Sequence, residues 1–271
     1  MNRAMVGMMA TVLAMGVAAH AETLQIDGST TVGPVADAFA EYFKSVQPDL
    51  AITVKKTGSG DGAAALIDGR CDVATMSRFM KTEEFQKAVA NNVLPVAHVV
   101  AMDGVCVAVH PSNPVKSLTS VQVRDIYAGK ITNWNQVGGS NTPIVAISRD
   151  TSSGTYETFD ELVMKKSPMA ASVEYVNANP QAQSRVRTTA GAIGYVGLGF
   201  QEGVKILAID GIMPTRQTVA NGTYPVARPL FLFTNGYPKL GSVVHKFVSF
   251  YLTEKGQELV EAKGFVPLTN Y

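Results

Sequence analysis

The stretch 148–159 carries the residues best suited to binding an oxyanion, and it reads Ser-Arg-Asp-Thr-Ser-Ser-Gly-Thr-Tyr-Glu-Thr-Phe. A short apolar run, 143–147, precedes it and predicts a buried strand. After the polar residues, Phe159, Leu162 and Val163 recur at helical spacing and predict a helix. The first-turn N–H groups of a helix lack intrahelical partners, and the helix dipole favours negative charge there. The sequence therefore predicts an anion site at a strand–loop–helix junction.

The side chains of this stretch suit the same chemistry. Arg149 offers a planar guanidinium that matches the oxygens of a phosphate group. Ser153 and Thr155 supply hydroxyl groups, and Ser152 or Ser153 is suited to cap the helix. A second interpretation stays open, in which the serines form an ordinary capped turn and Arg149 makes a surface ion pair.

The same order of strand, small polar loop and helix occurs earlier in the chain. The apolar runs 24–26, 51–54 and 71–76 are each followed by such a loop. Strands that alternate with helices predict parallel β-α-β units, whose loops gather at the carboxyl edge of the sheet, where ligands bind. The polar residues expected at that edge are Thr30, Ser59, Ser77 and Arg149.

The first 21 residues have the pattern of a secretory signal. Arg3 gives a positive start, an apolar run follows, and Ala19-His20-Ala21 fits a cleavage site. No cysteine follows that site, so we expect a free periplasmic protein without a lipid anchor. Without Arg3 the rest of the chain holds 22 basic and 22 acidic residues. This balance argues against nucleic-acid or membrane-surface binding.

The two cysteines, Cys71 and Cys106, leave two interpretations open. They either form a disulfide, which an oxidising compartment permits, or remain two buried free thiols. They are too few for a structural zinc site, and the sequence predicts neither a metal nor a cofactor.

Taken together, these motifs resemble the phosphate-binding proteins of bacterial ATP-driven phosphate importers over essentially all of residues 22–271. The motifs that carry the resemblance are Gly28-Ser29-Thr30-Thr31, Gly58-Ser59-Gly60, Ser77-Arg78, 109–114, 131–134, 149–155 and 191–195. The resemblance implies an α/β fold of two lobes, each a mostly parallel sheet flanked by helices, with strands crossing between them. One lobe would comprise residues 22–105 and 226–271, and the other residues 106–225.

The resemblance also implies which groups hold a dehydrated anion. Carried over by position, they are Thr30, Thr31, Ser59, Arg149, Ser153, Gly154 and Thr155, with Ser77 and Arg78 beside them. Where relatives have an aspartate that accepts the proton of hydrogen phosphate, this chain has Ser77. Asp61 is the expected substitute acceptor and Asp150 a second candidate. The alternative for Asp61 is that it only caps its helix.

The function that follows is binding of inorganic phosphate and its delivery to the membrane permease of an ABC-type importer, by a monomer that does not insert into the membrane. Sulfate, molybdate or tungstate are alternative ligands. A serine-dependent phosphatase using Ser153 is a different class, but no histidine or Gly-x-Ser-x-Gly motif lies beside that serine in the sequence. A surface or adhesion protein is a third class, because a fold does not determine a function.

Overall fold

The computed structural model describes residues 22–269, and the predicted signal segment 1–21 lies outside the described residues. The strands are β1 (Thr23–Gly28), β2 (Ala51–Val54), β3 (Val73–Met76), β4 (Pro95–Val109), β5 (Ser117–Leu118), β6 (Val145–Arg149), β7 (Glu174–Val176), β8 (Ala192–Gly197), β9 (Lys205–Ile206), β10 (Ala208–Ile209) and β11 (Ala227–Asn235). The α-helices are α1 (Gly33–Val46), α2 (Ser59–Ile67), α3 (Thr82–Ala90), α4 (Ser120–Tyr127), α5 (Gly154–Phe159), α6 (Asn179–Arg187), α7 (Arg216–Ala220), α8 (Val243–Ser249) and α9 (Glu254–Ala262).

The described chain is an α/β structure, and its main sheet has the order β2-β1-β3-β11-β4-β8-β6-β7. The pairs β1–β2, β1–β3, β6–β7 and β6–β8 are parallel, as expected for strands joined through helices. At the centre, β11 pairs antiparallel with β3 and with β4, and β4 pairs antiparallel with β8. Parallel strands therefore lie at both ends of the sheet, and antiparallel strands lie between them.

Strand β4 joins the two ends of the sheet by changing partners along its length. Residues 95–104 pair with β11, and residues 105–109 pair with β8. This second half is fully buried, in keeping with its continuous apolar sequence. Asp103 and Gly104 interrupt the apolar sequence of this region, but the structure has one continuous strand. The Asp103 carboxylate is compatible with an unbroken strand because Arg228, its cross-strand partner on β11, pairs with it.

The helices pack their apolar faces on this sheet. On α1, Val35, Phe39 and Phe43 recur at helical spacing and are buried. The Phe39 ring makes an edge-on contact with Phe247 and Phe250, so the C-terminal helices pack against α1. These contacts hold α1 against the sheet and fix the Ser29–Thr31 loop at its N-terminal end.

Three further sequence-based expectations can be compared with the structure. Helix α2 begins at Ser59, so this residue, expected in a loop, belongs to the first turn of the helix. Cys71 and Cys106 are both buried free thiols, which resolves the two interpretations. Burial raises the pKa of the Cys71 thiol to about 12. Within residues 22–269, no helix is long and apolar enough to span a bilayer, and no cluster of metal-binding side chains occurs.

Candidate functional site

The polar loops after β1, β2, β3 and β6 meet at the carboxyl ends of these strands. Ser29 N–H donates to Thr75 O at 2.8 Å, and Gly58 N–H donates to Gly28 O at 2.8 Å, which fixes the loops of the first three strands together. Gly60 N–H donates to Ser152 O at 2.9 Å. This last bond connects the loops of the N-terminal strands with the loop that follows β6, so the edge predicted from the sequence is formed.

Helix α5 starts in this loop cluster and continues through a π-helical turn, Asp160–Met164. Ser153 is its N-cap, and its Oγ accepts hydrogen bonds from Thr155 N–H and Tyr156 N–H. The N–H group of Gly154 makes no hydrogen bond within the described residues. A capped helix end with a remaining donor is suited to bind an oxyanion.

Gly154 lies where the two groups of loops touch. A Cβ atom added at Gly154 would lie 2.5 Å from Ser77 Oγ and 2.6 Å from Ser59 Oγ. The Ser59 Oγ accepts from Ser77 N–H at 3.0 Å and lies 3.3 Å from Ser77 Oγ. Both serines are buried. The absence of a side chain at Gly154 therefore permits the close approach of α5 to the N-terminal loops.

Arg149 ends β6 and is 1 % exposed. Its Nε donates to Val176 O at 3.3 Å, and its Nη2 donates to Asn177 O at 2.7 Å. Nη2 also contacts Thr30 Oγ1 at 3.3 Å, whereas Nη1 is buried without a hydrogen-bond partner. Burial lowers the pKa of Arg149 to about 10, and the guanidinium stays charged at neutral pH. It makes no ion pair with a described carboxylate, so a buried cation with a free N–H edge lies among the hydroxyl groups.

A second set of polar side chains connects the loops from the two ends of the sheet. Thr31 Oγ1 and Thr155 Oγ1 lie 3.0 Å apart. The Asn179 Nδ2 group donates to Thr31 Oγ1 at 2.8 Å and to Thr30 Oγ1 at 3.2 Å, while Asn179 Oδ1 accepts from Gly197 N–H. All of these side chains are at least 94 % buried. The hydroxyl groups predicted from the sequence are thus brought together, with an asparagine that the sequence did not indicate.

A buried ion pair lies next to these threonines. Arg228 donates from Nη2 and Nε to Asp103 Oδ2 at 2.8 and 3.0 Å. Arg228 Nη2 also lies 3.0 Å from Thr155 Oγ1 and 3.4 Å from Thr31 Oγ1. Burial raises the pKa of Asp103, while Arg228 and the Leu198 N–H favour its ionised form. The cluster therefore has a second arginine, but this one has a carboxylate partner.

Three charged residues that the sequence suggested for the site do not point freely into the buried hydroxyl cluster. Arg78 lies beside Gly60, but its guanidinium makes two hydrogen bonds to Glu84, at 2.7 and 2.8 Å, and its Nε is buried without a partner. Asp61 is exposed in the first turn of α2 and makes no capping hydrogen bond, so it lies outside the buried cluster. Asp150 accepts from Ser152 through Oδ1, and its Oδ2 is buried without a partner.

The sequence contained weak signals for the residues that it did not identify. Asp103 is a charged residue inside a long apolar run, and Arg228 stands just before another. Asn179 precedes a proline at a helix start. Each of these features has an ordinary structural explanation, and only the pairing of β4 with β11 brings two of them together.

This arrangement can bind an anion, and it lacks the parts of a serine hydrolase. The Ser153 hydroxyl oxygen accepts two backbone N–H groups as a helix cap. The three histidines of the described chain contact Thr234, Ser112 and the Ser242 turn, and none contacts Ser153. A nucleophilic serine requires an adjacent base. Hydroxyls, backbone N–H groups and an arginine instead match the needs of a dehydrated oxyanion.

Comparison with known proteins gives consistent results. Residues 14–255 match the family model described as a PBP superfamily domain. Protein SphX of Synechococcus elongatus is 35 % identical over 261 residues, which cover 89 % of this chain and 76 % of that protein. The phosphate-binding protein PstS of Staphylococcus epidermidis is 35 % identical over 254 residues, with coverages of 89 % and 77 %.

Solved structures show the same similarity in three dimensions. A candidate phosphate ABC transporter substrate-binding protein from Clostridium perfringens, with bound phosphate, has a TM-score of 0.85 and 34 % identity, covering 92 % of this chain and 100 % of that one. An ABC-type phosphate transport receptor from Vibrio cholerae has a TM-score of 0.73 and 30 % identity, with coverages of 90 % and 99 %.

Proposed function

This chain belongs to the PBP superfamily and, within it, to the phosphate-binding proteins of ABC-type transporters, and from this premise we propose that it binds inorganic phosphate at the loop cluster around Arg149. The family comprises binding proteins rather than enzymes. The proposed ligands are the Arg149 guanidinium, the Gly154 N–H and five hydroxyl groups, those of Thr30, Thr31, Ser59, Ser77 and Thr155. Ser153 holds the Gly154 N–H in place by capping its helix.

The observation that carries this proposal is the state of Arg149. A buried cation without a carboxylate partner is unfavourable, and a buried unsatisfied N–H adds to the cost. Nη1 of Arg149 is such a group, and it belongs to a side chain that also contacts Thr30. An oxyanion among these hydroxyls would supply both a counter-charge and acceptors. Each hydrogen bond to a charged group contributes about 1.5–3 kcal/mol.

Binding of phosphate would hold the two lobes together. The proposed lobes are residues 22–105 with 226–271, and residues 106–225, and the change of partners along β4 at residue 105 supports this division. Thr30 and Ser59 lie on one proposed lobe, while Arg149 and Gly154 lie on the other. A ligand that contacts both lobes favours the closed form, because it binds that form more tightly.

The biological setting follows from the relatives. We infer that a monomer of this protein captures phosphate in the periplasm and delivers it to the membrane permease of an ABC-type importer. The relatives named as phosphate-binding proteins and the transport receptor from Vibrio cholerae support this inference. The secretory pattern of residues 1–21 supports the periplasmic location.

The test compares Arg149→Met with wild type in calorimetric titrations of phosphate, arsenate, sulfate and molybdate. Loss of the charge-assisted hydrogen bonds should weaken phosphate binding by about 3 kcal/mol or more, which is roughly 100-fold. Arg185→Met is the matched control. Arg185 pairs with Glu174 and belongs to the same proposed lobe but not to the site. The Arg185→Met variant should therefore bind phosphate with the affinity of wild type.

Three results would oppose the proposal. Equal phosphate affinity of Arg149→Met and wild type would remove Arg149 from the site. Preference of the wild type for sulfate or molybdate would identify a different oxyanion receptor, consistent with Ser77 in the position where relatives have a carboxylate. Turnover of a phosphate monoester by the wild type would revive the phosphatase alternative.

A further inference from the structure

The Arg228–Asp103 ion pair lies behind the proposed phosphate site, at the position where β4 and β11 pair side by side. Arg228 is 4 % exposed and Asp103 is 0 % exposed. The second carboxylate oxygen of Asp103 accepts from Leu198 N–H at 2.8 Å, so both oxygens have donors. Asp103 therefore holds the Arg228 guanidinium in one orientation, and the negative carboxylate balances the positive charge of the arginine.

From this orientation Arg228 reaches a hydroxyl on each proposed lobe. Nη2 lies 3.0 Å from Thr155 Oγ1 and 3.4 Å from Thr31 Oγ1, and these two oxygens are 3.0 Å apart. Asn179 Nδ2 approaches Thr31 Oγ1 from a third direction at 2.8 Å. Apart from each other, the two threonine oxygens thus face groups that can only donate.

The donor count determines where the threonine protons point. A hydroxyl group has one proton to donate and two lone pairs to accept, whereas guanidinium and amide N–H groups donate only. Arg228 Nη2 has two hydrogens, and one donates to Asp103, so one remains and points to the nearer threonine oxygen, Thr155 Oγ1. Thr31 Oγ1 accepts from Asn179. Whichever of the two hydroxyls accepts from the other then has both lone pairs occupied, so its own proton is directed away from the pair.

We propose that Arg228, held by Asp103, and Asn179 are positioning residues that orient the Thr31 and Thr155 hydroxyls as donors to the bound anion. This inference rests on the proposed function, since it specifies how that site favours an oxyanion. Arg228 itself has its N–H groups directed to Asp103 and the threonines, so it acts through Thr155. Hydroxyl groups oriented as donors favour an anion, because the oxygens of an oxyanion accept hydrogen bonds.

The test is a cycle of phosphate affinities that separates orientation from stability. The first change is the paired variant, Arg228→Met with Asp103→Asn, which removes both charges together and keeps an acceptor for Leu198 N–H. The second change is Thr155→Val, which removes the oriented hydroxyl and preserves the side-chain shape. If Arg228 acts through Thr155, each change weakens binding about tenfold, and their combination weakens it about tenfold rather than 100-fold.

The control is the same cycle with Arg149→Lys in place of Thr155→Val. Arg149 makes no hydrogen bond to Arg228, and the paired variant removes the charge of Arg228 together with that of Asp103, so the two fold losses in affinity should multiply. Thermal unfolding of each ligand-free variant shows whether it folds. If the paired variant does not fold, a cycle of Asn179→Leu with Thr31→Val replaces it. The combined variant should again lose no more phosphate affinity than either single variant.

The outcomes distinguish the two proposals. Losses that multiply in both cycles would show that the ion pair acts only through stability and would overturn the positioning role. A wild type that does not bind phosphate would overturn the proposed function instead. The positioning role is supported if the fold losses in phosphate affinity multiply in the Arg149 cycle but do not multiply in the Thr155 cycle.

Discussion

The contact of Gly154 with two serines gives the sharpest test of a site formed between two lobes. An alanine Cβ at this position would lie 2.5 Å from Ser77 Oγ and 2.6 Å from Ser59 Oγ. These distances are about 1 Å shorter than a favourable nonbonded contact of about 3.5 Å. The two serines are buried and joined to each other, so they have little room to move. Gly154→Ala should therefore prevent α5 from approaching the N-terminal loops as closely.

The expected magnitude differs between the open and the closed forms. In the proposed open form the serines lie away from the added methyl group. Gly154 is the first residue of α5, so alanine gains there at most the roughly 0.8–1.0 kcal/mol by which it is favoured over glycine in a helix interior. In the closed form, overpacking typically costs about 1–3 kcal/mol. Since only the closed form is penalised, Gly154→Ala should weaken phosphate binding about 10- to 100-fold. The ligand-free protein should unfold at the same temperature as wild type or a higher one.

Gly60→Ala is the matched control. Gly60 also lies in the first turn of a helix at the contact between the lobes, but its added Cβ would meet the nearest atom, Ser152 O, at an ordinary 3.4 Å. Calorimetry should give it an affinity within about threefold of wild type, a free-energy difference of roughly 0.7 kcal/mol. Phosphate binding by Gly154→Ala within threefold of wild type, or an equal loss of affinity in both variants, would refute the predicted steric conflict.

Two further predictions concern residues at the rim of the cluster. Asp61→Asn should leave both the phosphate affinity and the phosphate-to-sulfate ratio unchanged in calorimetric titrations, because this carboxylate is exposed; a ratio narrowed tenfold would instead assign selectivity to Asp61. Lys81 on one proposed lobe pairs with Glu157 on the other, and both are partly exposed. Exposed pairs contribute about 0–1 kcal/mol, so Lys81→Met should weaken binding at most about fivefold, and 0.5 M salt should remove the difference. A larger loss that persists in salt would refute this surface role.

The parts of the site that the sequence predicted are those that local patterns determine. Ser153 caps α5 as expected, and the loops after β1, β2, β3 and β6 meet because parallel strands place their carboxyl ends at one edge. Short apolar runs and small polar loops are local signals that depend little on the rest of the fold.

The parts that the sequence missed depend on distant pairing or on rotation about a helix. Arg228 and Asp103 meet only because β11 pairs with β4 in one register, and no local pattern specifies that register. Asp61 was expected in the site because it lies three residues after Gly58, close in sequence to Ser59. The helix begins at Ser59, and two residues of α-helix correspond to a rotation of about 200°. Asp61 therefore faces away from the side on which Ser59 meets the cluster.

The unpaired charge of Arg149 also bears on how the protein behaves without ligand. The structure contains direct contacts between the proposed lobes, including Gly60 N–H to Ser152 O and Thr31 to Thr155. These contacts favour closure whether or not an anion is bound. Closure also covers Arg149 with Thr30, and removing a charged group from water without an ion-pair partner is costly, even with the Asp150 carboxylate nearby. The two effects oppose each other until an anion supplies the counter-charge.

This balance predicts that Arg149→Met closes without ligand. The variant keeps the lobe-to-lobe contacts but no longer buries an unpaired charge, so its ligand-free closed population should rise. Small-angle scattering of phosphate-free samples should then give a smaller radius of gyration for Arg149→Met than for wild type. Phosphate should compact the wild type and leave the variant unchanged. An equal radius for the two phosphate-free proteins would refute the opposing role of Arg149, since the direct contacts would then set the equilibrium alone.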